Sequence, residues 1–373
     1  MFKWIGKIKQ LFKKKQAPII TITNGDSDAV YVDLGASSIK MSYKGEFITF
    51  RSSVRVASDE EVTFQDNKIL VDGKWYIIGE SSQPTGTYQY KYRKENLHVL
   101  VLYGLKLLGF EQVEARLHIL LPYNELHTTK ELNSKLSSHQ LHDAKVKLQV
   151  AKVYVEGESS KHYISQKLKL KGKNVCVVNV GYSTTDIALF SSNGYREKMV
   201  SLSMGTNAIM SEVVGHTQAP TSSILNSWLV DGYQFTKDEQ LKVSSVTSRF
   251  LSMIKSDLES IVFKVANPQN LVIVWCGGGS QLVHDEIDKV FKGYSCKVLD
   301  VEDSIYTDLK GMIELHNPAN DDEKVLTKEE REQKIVELKR AGHKNSEIAK
   351  MLGCSESTVN NFMTKWNKAG HLI

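Results

Sequence analysis

One stretch of this chain combines glycine, hydroxyl and carboxylate side chains in the way that phosphate binding requires. In Asn174–Phe190, two apolar runs rich in β-branched residues flank a short polar turn that starts at Gly181. The turn contains Ser183, Thr184, Thr185 and Asp186. Glycine lets the backbone approach an anion closely, and the turn can direct N–H groups and hydroxyls at phosphate oxygens. Asp186 would repel a phosphate unless a cation lay between them, which indicates Mg²⁺, although an ordinary hairpin turn has the same composition.

Two further stretches support the interpretation as a phosphate site. Val30–Tyr43 repeats the strand–turn–strand design. Its turn and second strand contain Asp33, Gly35, Ser37 and Lys40. A third apolar strand, Leu271–Cys276, is followed directly by Gly277, Gly278 and Gly279, against which a flat adenine or ribose ring could lie. The two hairpins predict two similar domains that face one phosphate chain across a cleft.

In the order and spacing of these motifs, residues 28–316 resemble the superfamily of actin, sugar-kinase and Hsp70-type ATPases, and within it the ParM-like bacterial actins. The resemblance implies an α/β fold with two actin-like (RNase H-like) domains, 28–172 and 173–316, around a nucleotide cleft. It implies ATP or GTP as ligand, together with Mg²⁺. The nucleotide-binding residues that it implies are Gly35, Ser37, Lys40, Asn179, Gly181, Ser183, Thr184, Thr185, Gly205, Gly277, Gly278 and Gly279.

The resemblance also implies where hydrolysis would take place. It makes Asp33 and Asp186 the catalytic carboxylates, with Asp33 and Asn179 near the metal ion, and Glu158 the residue that positions the attacking water. A carboxylate that simply favours a helix start is the alternative for Glu158. Relatives usually have aspartate where this chain has Asn179, which can bind a metal-bound water but carries no charge. We therefore expect an ATPase with slow hydrolysis and expect Asn179→Asp to accelerate it.

Basic charge is concentrated at the two ends of the chain. The formal net charge is +5, yet residues 1–15 hold six lysines and no acidic residue, so the body is more acidic than the total indicates. Apolar residues at helical spacing within 1–15 predict a basic amphipathic helix on an anionic membrane surface. Packing on the protein body or on a neighbouring subunit is the alternative. Four cysteines without close pairs, and no long apolar run, predict a cytoplasmic protein at most peripheral to the membrane.

The C-terminal region is predicted to be a separate all-α domain. Residues 317–327 form an acidic linker, and residues 328–373 contain three helical patterns with a turn at Gly353 and an N-cap at Ser355, typical of a helix-turn-helix. Ten Lys or Arg against six Glu in 324–373 favour DNA as the partner. The predicted base-reading residues are Ser357, Thr358, Asn360 and Asn361, and the predicted phosphate contacts include Lys344 and Lys365.

Two functions are consistent with these observations. The first is a nucleotide-dependent actin-like filament that segregates or positions DNA, as in plasmid partition, and binds the DNA through its helix-turn-helix. The second is a transcription regulator that does not polymerise, in which the nucleotide gates DNA binding. A sugar kinase fused to a helix-turn-helix is weaker, because no carboxylate in the sequence stands out as its catalytic base.

Overall fold

The computed structural model describes residues 29–63, 65–79, 91–94, 96–141, 144–214, 237–261, 270–316, 328–340, 342–352 and 354–368. The predicted amphipathic helix 1–15 and the linker 317–327 lie outside these residues. The strands are β1 Ala29–Leu34, β2 Ser38–Tyr43, β3 Glu46–Arg51, β4 Val54–Val56, β5 Lys68–Val71, β6 Lys74–Ile78, β7 Glu114–Leu121, β8 Ser138–Leu141, β9 Ala144–Val155, β10 Asn174–Val180, β11 Thr185–Phe190, β12 Arg196–Leu202, β13 Leu271–Cys276 and β14 Ser295–Val298.

The helices are α1 Asp59–Val62, α2 Leu97–Leu107, α3 Thr129–Leu136, α4 Glu158–Lys167, α5 Thr206–Val214, α6 Lys237–Ile261, α7 Ser280–Val290, α8 Val301–His316, α9 Lys328–Arg340, α10 Asn345–Met351 and α11 Glu356–Lys368. Two short 3₁₀ turns lie at Lys91–Arg93 and Tyr123–Thr128. Of the helices in the described ranges, none is long and apolar enough to cross a membrane.

The strands form two sheets that repeat one arrangement. The first sheet has the order β3-β2-β1-β7-β9-β8-β5-β6-β4, and the second has the order β12-β11-β10-β13-β14. In each, an antiparallel three-stranded meander is followed by a parallel pairing, β1 with β7 and β10 with β13. β1 and β13 are buried along their whole length, as expected of apolar strands covered on both faces. The predicted α/β fold with two similar units is confirmed.

Helix α8 connects the two sheets. Its residues Tyr306, Leu309 and Met312 are buried against β1 and neighbouring strands of the first sheet, and the helix also contacts β13 of the second. It crosses α4 at Gly311, where an added Cβ atom would lie 1.7 Å from the carbonyl oxygen of Ser159. The two helices can therefore approach this closely only because residue 311 is glycine.

The last three helices enclose a small core of their own. Its buried members are Ile335, Ile348, Ala349, Leu352, Val359 and Met363. Tyr195, in the turn between β11 and β12, packs against this core from the second sheet. The predicted small helical C-terminal domain is confirmed, and the described residues show where it contacts the body.

Candidate functional site

Three of the motifs found in the sequence are joined by backbone hydrogen bonds. Within the β10–β11 hairpin, the Gly181 N–H donates to the carbonyl of Thr184 over 2.9 Å. The Thr206 N–H, at the start of α5, donates to the Gly181 carbonyl over 3.0 Å. The Gly279 N–H donates to the carbonyl of Val180 over 2.9 Å. The hairpin, the helix start and the glycine turn therefore form one continuous backbone surface.

The glycines of this surface differ in what they do. A Cβ atom on Gly277, which has a φ of +81°, would lie 2.2 Å from Asn179 Oδ1, and one on Gly279 would lie 2.4 Å from Thr206 Cγ2. A Cβ atom on Gly205 would lie 2.4 Å from the Tyr182 carbonyl oxygen. A Cβ atom on Gly278 would meet nothing within 4 Å. Three of the glycines are thus required by the protein's own packing, whereas Gly278 borders open space.

Asp33 lies at the end of β1 between two lysines. Lys40 Nζ is 2.9 Å from its Oδ2 atom, and Lys91 Nζ is 3.3 Å from its Oδ1 atom. Burial alone would raise the pKa of Asp33, but the two ammonium groups outweigh that effect and lower the pKa to about 2. Asp33 is consequently ionised at neutral pH. Gly35 and Ser37 form the half-buried turn that follows.

Glu158, the residue predicted to position the attacking water, has a different partner in the structure. Its carboxylate forms an ion pair with Arg196 of β12, away from the Asp33 cluster. Glu156 is in the cluster instead, because its carboxylate pairs with Lys91, the same ammonium group that contacts Asp33. β9 ends at Val155, and Gly157 turns the chain with a φ of +80°. Glu156, directly after β9, therefore stays at the edge of the sheet, whereas Glu158 belongs to α4.

Asp186 is placed on the other side of the same cluster. Its Oδ2 atom accepts a hydrogen bond from Thr184 Oγ1 over 3.1 Å. Burial, together with the negative charge of Glu156, raises the pKa of Asp186 to about 7. A bound cation would favour the ionised form, which fits a place beside Mg²⁺. The Thr185 hydroxyl, by contrast, donates to the Met204 carbonyl over 2.7 Å and so holds the hairpin to the segment before α5.

Asn179 is hydrogen-bonded to a carboxylate that the sequence analysis did not identify. Its Nδ2 atom donates to Asp308 Oδ2 over 2.8 Å. The other oxygen of Asp308 accepts hydrogen bonds from the Ser160 N–H and the Ser160 hydroxyl, and from the Gly157 N–H. Burial raises the pKa of Asp308 to about 6. A negative charge is therefore available behind Asn179, although residue 179 itself has none.

Two lysines of the site were also missed. Lys91 is half-buried and pairs with Asp33 and Glu156, and Lys94 Nζ donates to the Gly35 carbonyl over 3.1 Å. Burial and the proximity of Lys91 lower the pKa of Lys94 to about 7. The sequence contained one signal for them, the basic run from Lys91 to Lys94 directly before an apolar helix.

The residues present fit a nucleotide with Mg²⁺. Within the described residues, the buried Ser183 hydroxyl has no hydrogen-bond partner, so it could donate to a phosphate oxygen. Asp33 and Asp186 supply the hard oxygen atoms that Mg²⁺ prefers. Lys40, Lys91 and Lys94 supply the positive charge that a triphosphate needs.

The third helix of the C-terminal domain presents a polar face. Ser355 caps it as predicted, because its hydroxyl accepts a hydrogen bond from the Thr358 N–H over 3.1 Å. Asn360 is exposed, and its Oδ1 atom accepts from Asn345 Nδ2 over 2.7 Å. Ser357 and Thr358 hydroxyls lie within 2.8 Å of the Ser355 hydroxyl. The remaining predicted contacts that are exposed are Lys344, Asn361 and Lys365.

The opposite side of this domain is docked on the second sheet. Arg331 of α9 is buried, with its guanidinium 4.8 Å from the ring centroid of Tyr195 and Nη1 3.9 Å from Glu197 Oε1. The docking leaves the polar face of α11 exposed. The exposed polar residues of α11 are therefore not used in the contact with the body.

Comparisons with known proteins agree with this division. A family model described as a homeodomain-like domain matches residues 326–372. No curated protein matches the sequence. Among solved structures, apo pSK41 ParM is similar with a TM-score of 0.57 and 15% identity, over 79% of this chain and 98% of that one.

Two other solved structures are similar over nearly their full lengths. One is the archaeal actin homologue Ta0583 in complex with ADP, with a TM-score of 0.58 and 15% identity, over 77% of this chain and 98% of that one. The other is a 15-stranded ParM filament from Clostridium botulinum, with a TM-score of 0.58 and 14% identity, over 78% of this chain and 99% of that one.

Proposed function

We propose that this chain, which joins the actin-like fold of ParM-type proteins to a homeodomain-like domain, is a nucleotide-dependent filament protein that segregates or positions DNA, as in plasmid partition. One observation carries the proposal. The same chain contains the cluster around Asp33, Lys91 and Asp186, which is suited to bind phosphates, and an exposed polar face on α11. The similar ParM filament supports self-assembly, and the ADP complex of an actin homologue supports a nucleotide in the cleft.

ATP or GTP with Mg²⁺ is the proposed ligand. Asp33 and Asp186 would hold the metal ion through its water ligands, and Asn179 would bind a further water while Asp308 contributes the charge from behind. When bound, the metal ion neutralises charge on the phosphates. Lys91, which contacts Asp33, and Lys94, which contacts the Gly35 carbonyl, would exchange these partners for phosphate oxygens.

Glu156 is the proposed residue for positioning the attacking water. It lies in the cluster with Lys91 and Asp33, and its charge raises the pKa of Asp186. A carboxylate in this place can accept a hydrogen bond from a water and orient it.

DNA is the proposed partner of the C-terminal domain. Lys344 and Lys365 would contact phosphates, and the exposed amides of Asn360 and Asn361 would read base edges. Residues 1–15 are proposed to bind an anionic membrane surface through their lysines, which sedimentation of the full chain and of a chain lacking residues 1–15 with anionic vesicles would test.

A second function is favoured by one contact, the docking of Arg331 on Tyr195 and Glu197. If the nucleotide moves the β11–β12 turn, it would change DNA binding without any filament. That is the nucleotide-gated regulator.

One experiment separates the two functions. Light scattering and sedimentation of the full chain are followed after addition of ATP or GTP with Mg²⁺, with and without a DNA fragment. A filament protein pellets only with nucleotide and carries the DNA into the pellet. Asp33→Asn serves as the matched control, because it keeps the shape of the side chain and removes its charge. A wild-type chain that binds nucleotide and DNA but never pellets would contradict the filament proposal and favour the regulator.

A further inference from the structure

A second polar cluster lies in the first domain, remote in sequence from the phosphate motifs. It consists of Asp72 in the β5–β6 turn, His98 near the start of α2 and His139 in β8, and their ligand-type atoms all lie within 4.8 Å of one another. We propose that Asp72, His98 and His139 form a binding site for a Zn²⁺ ion.

The spacing of the three groups suits zinc. His139 Nδ1 and Asp72 Oδ2 are 2.8 Å apart. The rings of His98 and His139 are stacked, with centroids 4.1 Å apart and planes inclined by 15°, so one ring must rotate for both lone pairs to reach a single ion. Zinc bonds of 2.0–2.2 Å in a tetrahedron place neighbouring ligand atoms about 3.3–3.5 Å apart. The one pair at 2.8 Å lies closer than that value, and all three ligand atoms lie within 4.8 Å of one another, so small side-chain movements would bring them to it.

The outer partners orient His139 as a ligand. Its Nε2 atom lies 3.4 Å from the carbonyl oxygen of Lys135, an acceptor that calls for an N–H on that side of the ring. With the proton on Nε2, the lone pair of Nδ1 faces the Asp72 carboxylate. A positive charge at this contact, either Zn²⁺ or a second proton on the ring, would then offset the repulsion between Nδ1 and Oδ2. Metal-binding histidines commonly donate their other N–H to a backbone carbonyl in this way.

Asp72 is also held in place by its surroundings. Its Oδ1 atom accepts a hydrogen bond from the Gln140 N–H over 2.8 Å, which leaves Oδ2 for a metal ion. Asp72 and Gly73 both have positive φ values, +48° and +74°, as the tight turn of a hairpin requires. The carboxylate is thus fixed on a rigid turn rather than on a loose loop.

The chemistry of the ligands favours a transition metal ion such as Zn²⁺ over Mg²⁺ or Ca²⁺. Two imidazoles and one carboxylate suit Zn²⁺, whereas Mg²⁺ and Ca²⁺ prefer sites made of oxygen atoms. Three protein ligands leave a fourth position for water, and the Asp72 side chain is 46% exposed, so the ion can enter from solvent. The proposed zinc site is therefore distinct from the Mg²⁺ of the nucleotide cleft.

A zinc ion here would join three elements, since each ligand comes from a different one. His98 lies four residues after Lys94, so the ion would also anchor the start of the helix that follows the lysines of the nucleotide cleft. Because Zn²⁺ would bind the folded chain and not the unfolded chain, it should raise the melting temperature.

The test uses the full chain with Zn²⁺ as the probe. Affinity is measured by competition with a chromophoric chelator, and bound metal is counted after dialysis. The variants are Asp72→Asn, His98→Gln and His139→Gln. Asp72→Asn should stay folded, because asparagine tolerates the positive φ of residue 72. His284→Gln is the matched control, because His284 lies exposed on α7 beside Asp285 in the second domain.

The wild-type chain and the control should each bind one Zn²⁺ at this site and melt at a higher temperature with the ion present. Loss of a mere outer partner costs about 10–100-fold in metal affinity, so each ligand variant should lose at least that much. Co²⁺ should give the intense visible absorption of a tetrahedral site in the wild type and in the His284→Gln control, but not in the three ligand variants. Equal zinc affinity in the wild type and in Asp72→Asn and His98→Gln would overturn the proposal, as would the absence of any zinc-dependent change in melting temperature.

Discussion

The hydrogen bond between Asn179 and Asp308 changes what a substitution at residue 179 should do. The sequence alone predicted that Asn179→Asp accelerates hydrolysis. In the structure the new carboxylate would lie 2.8 Å from Asp308 and remove the hydrogen-bond donor. We therefore expect the single variant to lose about 1–3 kcal/mol of stability and to gain no turnover.

The exchange Asn179→Asp with Asp308→Asn should restore the lost stability, because one carboxylate and one amide again face each other. Melting temperature and phosphate release measured on the two single variants and the double variant check this as a double-mutant cycle. Strictly additive effects would show that the two side chains act independently.

Glu156 and Glu158 form a matched pair for testing the water-positioning role. Glu156→Gln should slow hydrolysis by about 100-fold or more, the usual contribution of a positioned base, and should leave nucleotide binding largely intact. Glu158→Gln should change turnover little, since Glu158 is paired with Arg196. Single-turnover phosphate release together with nucleotide affinity separates the two effects. If Glu158→Gln slowed phosphate release and Glu156→Gln did not, Glu158 would be the residue that positions the water, as the sequence predicted.

Among the elements, the crossing of α4 and α8 is the tightest contact described. Gly311→Ala would place a Cβ atom 1.7 Å from the Ser159 carbonyl oxygen and so force the helices apart. We expect a loss of about 1–3 kcal/mol or more. Gly278→Ala is the control, because its Cβ would meet nothing, so it should melt like the wild type while weakening nucleotide affinity. Denaturant unfolding measures the stability of the two variants, and nucleotide titration measures their affinity. Equal stability of Gly311→Ala and Gly278→Ala would argue against the close crossing of the helices.

Local patterns predicted the elements well and the side-chain partners poorly. Apolar β-branched runs with glycine turns were enough to identify both hairpins, because strand and turn chemistry is local. Glu156, Asp308 and the two lysines were missed, because their roles depend on contacts between residues that are far apart in sequence. Asp308 lies 129 positions from Asn179, a separation across which no periodicity carries information.

At the scale of the whole molecule, the C-terminal domain should make DNA binding sensitive to salt. Affinity should fall linearly with the logarithm of salt concentration, because each phosphate contact releases counterions. Lys365→Glu should weaken binding to all sequences alike and change the salt slope. Asn360→Ala should instead reduce the difference in binding free energy between specific and random DNA by about 1–3 kcal/mol, if its amide reads a base. Fluorescence anisotropy with specific and random duplexes distinguishes them. Unchanged binding after deletion of residues 324–373 would move the DNA surface to another part of the chain.

Docking of the same domain on the β11–β12 turn has a consequence for assembly. In the proposed filament, every subunit would carry its own DNA-binding domain, here called a reader, attached at the same place, so the polymer would display a regular array of readers. Each reader could then bind its site weakly, since neighbouring readers raise one another's effective concentration and the array gains avidity. DNA carrying several evenly spaced copies of a site would be captured far more strongly than DNA with one copy. Growth of the polymer would in this way set how firmly its cargo is held.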